Sequence, residues 1–392
     1  MAAGTPAGPP PSAHRRGQSR RPAAIPGRVH LTDFHVICLS SLPWDGLWTS
    51  RHALCQVWAG RGLPVTFVDP PANLLRRRLG PRLARRDRPA GLTVVQPPGY
   101  LPYGALQSAP GLGPAVLDVN ARRYAAFVAG TAAAGGRPVL LFNSFMPVLG
   151  YRVAPRLRPA RYVYHRADEL RSFPTFRPRY LELEARVARQ ADLVVCVSPA
   201  VRDGIAGVRP DAVVIPNGVD PQRFVGVHPN PRLVALPKPV IALVGTVDGR
   251  TDPALVAAAA DAGTLVVAGP VHGVELPSGV VALGAVDRDE VPGILAAADV
   301  AVVCYRDTPG DVLKVYEYLA AGLPVVAGDF PGLHSLRQHV RVVGGPAEMT
   351  AAIAEQVAAR TPVGDAERRA VAADCSWERR ADQVLAAIGA AA

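Results

Sequence analysis

The segment CYRDTPGDVLKVYEYLAAGLPVV, residues 304 to 326, reads as strand, loop, helix, turn and strand. Leu313, Tyr316, Leu319 and Ala320 form an apolar stripe at helical spacing. Asp311 stands where a helix cap belongs, with Pro309 and Gly310 just outside it. Gly322 suits the left-handed position past the helix, and Pro324 prevents continuation. The flanking runs DVAVVCYRD (299 to 307) and LPVVAGD (323 to 329) are apolar and bounded by turn residues, as strands of a buried parallel sheet are. Strands joined through a helix in this way form a right-handed crossover unit of an α/β fold. Within it, Lys314 and Glu317 share a second helix face, and the chain has only two lysines, Lys238 and Lys314, among 43 Lys and Arg. As an exposed ion pair they would contribute about 0.2–0.5 kcal/mol.

The alternation extends in both directions. FHVICLS (34 to 40), PVTFVDP (64 to 70), PVLLFNS (138 to 144), RYVYHRAD (161 to 168), ADLVVCVSP (191 to 199) and AVVIPNGVD (212 to 220) read as strands, with helices between. After the proline-rich stretch 221 to 239, VIALVGTVDGR (240 to 250) restarts the pattern, which runs on through 263 to 270, 279 to 286, 299 to 307 and 323 to 329. We read residues 31–220 and 240–374 as two Rossmann-like doubly wound domains facing across a cleft. The stretch 221–239 is their linker, and 375–392 is a C-terminal helix placed to pack back on the first domain. Open α/β sheets bind ligands beyond the carboxyl ends of their strands.

The bulk properties exclude several classes. At 392 residues with 49% hydrophobic content the chain suits two soluble domains, and no apolar run reaches the roughly 18 residues of a spanning helix. Residues 1 to 30 lack the apolar core of a secretory signal and read as a disordered basic tail. Cys38, Cys55, Cys196, Cys304 and Cys375 are scattered, without a CxxC, which points to a reduced, cytoplasmic setting and no thiol metal site. The net charge of +11 is carried by arginine, in keeping with a GC-rich genome. One part of it is local: LLRRRLGPRLARRDRP (74 to 89) holds seven arginines. It reads as a solvated segment, or as a patch that rests on anionic lipid at the inner face of a membrane or meets an anionic acceptor. No module for nucleic-acid binding is visible.

Position gives Lys314 and Glu317 a second reading. Their helix begins at the carboxyl end of a strand, so its N-terminus, an anion site, faces the cleft. Lys314 would add a full charge for a phosphate, and the carboxylate of Glu317, one turn deeper, could accept hydrogen bonds from vicinal ribose hydroxyls. Asp287 and Asp289 in VDRDEVPG have a D-x-D spacing, but Asp289 reads as a helix cap rather than a metal ligand.

The segment DVLKVYEYLAAGLPVV (311 to 326) resembles the donor motif of GT-B glycosyltransferases of the family 4 type, in its LKxYEYLAxGxPVV variant. VGTVDGRTDPALV, LVVAGP, LGAVDRDEVPGILAAADVAVVCYRD and SWERRADQVL follow the family's order, as do LPWDGLWTSRHALCQVWAGRGLPVTFVDPP, VYHRADELRSFP, ARQADLVVCVSP and VIPNGVDPQRF. The resemblance spans about residues 34 to 388 and implies transfer of a hexose from a nucleotide-diphosphate sugar to an acceptor hydroxyl. Glu317 matches the second glutamate of the family's E-x7-E motif, and Pro309 stands where the first belongs. The resemblance assigns the diphosphate to Lys314 and Arg250, with backbone approach at Gly245, Thr246 and Gly46.

Asp168, or in competition His165, becomes the candidate catalytic residue, a general base if configuration inverts. Trp44 and Trp48 either line the acceptor pocket or pack in the core. Arginine, lysine and a helix N-terminus can neutralise the leaving diphosphate, so no metal cofactor is expected. The acceptor would be a lipid-linked or envelope glycan or a small secondary metabolite. The family motif favours retention. A nucleotide-sugar epimerase and a non-catalytic scaffold on the same fold are the alternatives.

Overall fold

A computed structural model describes residues 33–72, 88–101, 111–132, 136–173 and 176–391. The expected basic tail, and residues 74 to 87 of the arginine-rich segment, lie outside the described residues. Among the described residues seven strands form the first sheet: β1 (His35–Ser40), β2 (Val65–Val68), β3 (Leu92–Val95), β4 (Val139–Ser144), β5 (Arg161–Arg166), β6 (Leu193–Cys196) and β7 (Val213–Val214), ordered β3-β2-β1-β4-β5-β6-β7. Six form the second: β8 (Val240–Val244), β9 (Thr264–Ala268), β10 (Val281–Gly284), β11 (Val300–Val303), β12 (Val325–Gly328) and β13 (Arg341–Val343), ordered β10-β9-β8-β11-β12-β13. Neighbouring strands pair in parallel, with Val36 opposite Leu140 and Ala301 opposite Val325.

The central strands are buried on both faces, which is why they read as unbroken apolar runs. The edge strands β3 and β13 escape such a reading. Strand β3 is fully buried only at Leu92, and the three-residue β13 opens on the exposed Arg341. Strand order reverses between β1 and β4 and again between β8 and β11. The loops after those strands therefore open onto the crevices where such sheets take ligands. The expected pair of doubly wound sheets is thus the observed architecture.

Four helices position the site: α1 (Ser50–Gly60), α2 (Pro253–Asp261), α3 (Leu313–Ala320) and α4 (Trp377–Ala390). Ser376 caps α4, whose Trp377, Ala381, Val384 and Ile388 are buried in one cluster with Val36, Leu54 and Trp58 of the first sheet's layer. The chain crosses between the sheets twice, side by side. Val219 N donates to Cys375 O and Trp377 N donates to Val219 O, both at 3.0 Å.

The 221–239 stretch is not structureless. Pro221–Phe224 and Pro231–Val234 are short helical turns, capped by the Asp220 and Asn230 side chains with proline in the first turn of each. Phe224 and Leu233 are buried in the second sheet's core. The Asp-Pro and Asn-Pro pairs were the signal for both turns.

All five cysteines are free, and all but Cys375 are buried. Among the described residues no helix is long and apolar enough to cross a membrane.

Candidate active site

Helix α3 starts at Leu313 with Val312, not Asp311, at its cap. The backbone is already extended at Val312, and Asp311, one residue earlier, is held by other partners. Its Oδ2 accepts from Asn217 N at 2.7 Å and from the Tyr316 hydroxyl at 2.8 Å, and Asn217 Nδ2 donates to Asp311 O at 2.9 Å. Gly322 takes the left-handed conformation past α3, with φ of 81°. One residue before Gly310, the Ser198 hydroxyl donates to Pro309 O at 2.6 Å. The loop after β11 is therefore tied to the first half of the chain through Pro309 and Asp311.

Lys314, in the first turn of α3, does not pair with Glu317. Among the described residues it has no carboxylate within 4 Å. Its Nζ lies 4.5 Å from the centre of the Tyr305 ring, and a Cβ built on Gly245 would sit 3.0 Å from that Nζ. Lys314 thus spans from its own helix to the turn after β8. Gly245 adopts φ of 107° and donates to Ala268 O at 2.8 Å, with Thr246 half-buried beside it. The Arg250 guanidinium lies 5.6 Å from the same Tyr305 ring and makes a two-point pair with Asp248, Nε to Oδ1 at 3.0 Å and Nη2 to Oδ2 at 2.8 Å. That pairing raises the Arg250 pKa. Two cations therefore flank one aromatic ring in front of a helix N-terminus, an arrangement suited to a diphosphate. Tyr305 was missed in the sequence. Its signal was an aromatic residue at the carboxyl end of a buried strand.

Gly269 makes this turn possible. Its φ is 155°, and a Cβ there would lie 2.2 Å from Gly245 O. We expect Gly269→Ala to force the two loops apart and cost about 1–3 kcal/mol of stability. Urea unfolding checks this, and an unchanged midpoint would show that the loops do not touch as described.

Glu317 is one quarter exposed at its side chain, and Arg223 Nη1 lies 3.9 Å from its Oε1. Burial raises its pKa, while Arg288, Arg223 and Lys314 pull it back down. Asp252 caps α2 by accepting from Ala254 N at 2.9 Å. Asp289 is not a cap. The helix at Val291–Ala296 starts after Glu290, and the exposed Asp289 carboxylate instead accepts from Arg223 at 3.2 Å.

Across the cleft, Asp168 follows β5. Its Oδ1 accepts from Glu169 N at 2.8 Å and would lie 3.2 Å from a Cβ placed on Gly310, so it faces the loop after β11. Burial raises its pKa, and the Glu169 N–H and the charges of Arg250, Arg51 and Arg166 oppose that rise. His165 sits inside β5 rather than at the strand's end. It is buried, stacks on Phe142 at 5.2 Å and places Nδ1 2.9 Å from Ser144 Oγ. Burial, then Arg51, pushes its pKa down to about 3, so it is a neutral core imidazole. The strand runs one residue past His165, and the alternation of side chains carries the ring into the layer under the sheet.

Gly46 closes a turn, donating to Pro43 O at 2.9 Å, in the loop after β1. Of the two tryptophans, Trp44 is core, while Trp48 stacks on His52 at 5.2 Å and carries the Arg288 guanidinium 4.4 Å above its ring. That stack joins the two halves. Arg51, on α1, was also missed. It is 4% exposed, its Nε has no hydrogen-bond partner among the described residues, and burial lowers its pKa to about 10.

Residues 44–223 match the family model described as Glycosyltransferase Family 4, and residues 250–386 match a second described as Glycosyl transferase-like. No curated protein matches the sequence. Among solved structures, sucrose-phosphate synthase from Thermosynechococcus elongatus superposes with a TM-score of 0.64 at 18% identity, over 91% of this chain and 100% of the other. Anabaena HepE in complex with UDP-glucose gives 0.63 at 18%, over 91% and 99%. A trehalose-6-phosphate synthase studied for glycosyl transfer with retention gives 0.61 at 14%, over 91% and 99%. With two parallel sheets, and glycosyltransferase models matching both halves, the chain belongs to the GT-B glycosyltransferases of the family 4 type.

Proposed function

We propose that the protein transfers a hexose from a UDP-sugar to an acceptor hydroxyl, with retention of configuration and without a metal. The observation that carries the donor side is the pair of cations, Lys314 and Arg250, over Tyr305 at the N-terminus of α3. The diphosphate would lie there, along the Gly245–Thr246 turn, with the ribose hydroxyls on Glu317 and the loop at Gly46 closing from the other half. The HepE complex with UDP-glucose supports UDP as the nucleotide. In the reaction the anomeric C–O bond breaks and the leaving phosphate oxygen takes its electron pair. The acceptor oxygen bonds the anomeric carbon and its proton passes to the leaving phosphate. Lys314, Arg250 and the helix N-terminus hold the charge that develops.

Asp168 faces this loop from the opposite half and orients the acceptor or a sugar hydroxyl, where Pro309 supplies no carboxylate. Burial of His165 in the sheet leaves Asp168 as the acidic or basic group in front of the loop. Retention is the outcome named for the trehalose-6-phosphate synthase neighbour. The acceptor we assign by class is a lipid-linked or envelope glycan or a small hydroxylated metabolite, met on the inner side of the cell membrane.

A melting panel of UDP-, GDP- and dTDP-sugars tests the donor. A ligand at 100-fold its Kd adds about 2.7 kcal/mol, so UDP-hexose is expected to raise the melting temperature clearly. Transfer is expected to survive EDTA, and NMR of the product reads the anomer. A new sugar epimer without an acceptor would support an epimerase instead. Absence of any nucleotide shift would support a non-catalytic scaffold.

A further inference from the structure

Arg223 lies in the connection between the halves, on the short turn Pro221–Phe224, and is nearly buried, with 14% of its side chain exposed. Its Nη2 donates to Arg288 O at 2.5 Å and to Asp289 Oδ1 at 3.2 Å. Its Nη1 stands 3.9 Å from Glu317 Oε1. The next residue, Phe224, is buried in the second core and fixes the turn. One guanidinium therefore meets three elements: the connection that carries it, the loop after β10, and helix α3. We infer that Arg223 is a positioning residue that fastens the connection to the donor site and holds Glu317 ready for the ribose. This inference rests on the reading of Glu317 as the ribose anchor.

The geometry suits that role better than a structural ion pair does. The fork of a guanidinium can serve a carbonyl and a carboxylate at once. The short bonds go to the loop, so they set its position. The long approach goes to Glu317 and leaves both of its oxygens able to accept from ribose hydroxyls while a positive charge stands close. A tight two-point pair would occupy them. The charges that face Glu317 are Arg288 from the loop after β10, Arg223 from the connection and Lys314 from its own helix, and all favour the ionised form against burial. The held loop also touches the first half, because the Arg288 guanidinium stacks on Trp48. Arg223 thus links the ribose contact, the connection and the meeting of the two halves.

The test is UDP affinity by calorimetry on the full chain, across pH 5 to 8, for Arg223→Gln, Arg223→Lys, Glu317→Gln and the double variant Arg223→Gln/Glu317→Gln. Removing the Arg223 charge is expected to weaken UDP binding about tenfold at pH 7. The loss should deepen as pH falls, because Glu317 then takes up its proton at a higher pH. Arg223→Lys keeps the charge and should keep the wild-type pH midpoint, and it carries the test if the glutamine variant fails to fold. In the Glu317→Gln background, Arg223→Gln should add less than about twofold, since residues acting through one contact are not additive.

Three results would overturn the inference. One is a wild-type pH profile for Arg223→Gln while Glu317→Gln weakens UDP. The second is the same fold-loss in both backgrounds, which would make Arg223 independent of Glu317. The third is unchanged UDP affinity in Glu317→Gln, which would remove the ribose reading itself and identify that as the failed step.

Discussion

Lys314→Ala is expected to lower kcat/KM by at least tenfold, about 1.4 kcal/mol of transition-state stabilisation. The ammonium has no carboxylate partner within 4 Å among the described residues, so no direct ion pair holds it away from a phosphate. It lies over Tyr305, and a Cβ on Gly245 would come within 3.0 Å of it, which aims it at the turn where a diphosphate would rest. Charge on the leaving phosphate grows as the glycosidic bond breaks, so kcat should fall more than UDP affinity does. Arg250 cannot take over easily, because its guanidinium is already held at two points by Asp248. Lys314→Arg should recover little, since the longer planar head does not fit above the glycine turn. Steady-state kinetics with the donor identified by melting shifts decides the matter. Wild-type rates in Lys314→Ala would remove Lys314 from the diphosphate site.

The parts that could be read in advance are those whose causes are local. Strands buried on both faces announce themselves as apolar runs, and so the two sheets were visible. Gly322 and Pro324 mark the end of α3 because left-handed geometry and a missing N–H act within a few residues. Lys314 and Glu317 could be singled out as candidates because a helix after a buried strand turns its N-terminus toward the crevice.

What escaped depends on distance along the chain. Arg223 meets Glu317 and Arg288 only once the connection has folded back on the second sheet. Asp311 looked like a cap because its partner Asn217 lies 94 residues earlier. His165 looked accessible because nothing local says that β5 continues one residue further. Trp48 could have been core or pocket, and the choice was made by Arg288 of the other half.

Asp311→Asn is expected to stabilise the protein increasingly as pH rises from 5 to 8. Burial pushes the Asp311 carboxyl up to about 7, against the pull of the Tyr316 hydroxyl, the Asn217 N–H and the Arg380 charge. Unfolded, the same group titrates near 3.9. Between those values the folded chain binds a proton that the unfolded chain has released. A raised pKa of this kind contributes stability that is complete below about pH 4 and lost as pH climbs through 7. Three pKa units correspond to about 4 kcal/mol, the upper scale of the effect. Asparagine stays neutral throughout, and its carbonyl can still accept from Asn217 N and from Tyr316. The variant should therefore match the wild type near pH 4 and exceed it at pH 8.

Urea unfolding at several pH values, taken as variant minus wild type, removes the background from other carboxylates. A difference that does not change with pH would show that Asp311 is ionised in the folded protein throughout. The same titration bears on the site, because Asp311 ties the loop before α3 to Asn217, whose carbonyl accepts from Arg380 of α4 at 2.8 Å. Losing the proton near neutral pH burdens the joint that holds Lys314 and Glu317 in place, and the neutral variant should keep UDP affinity level where the wild type declines.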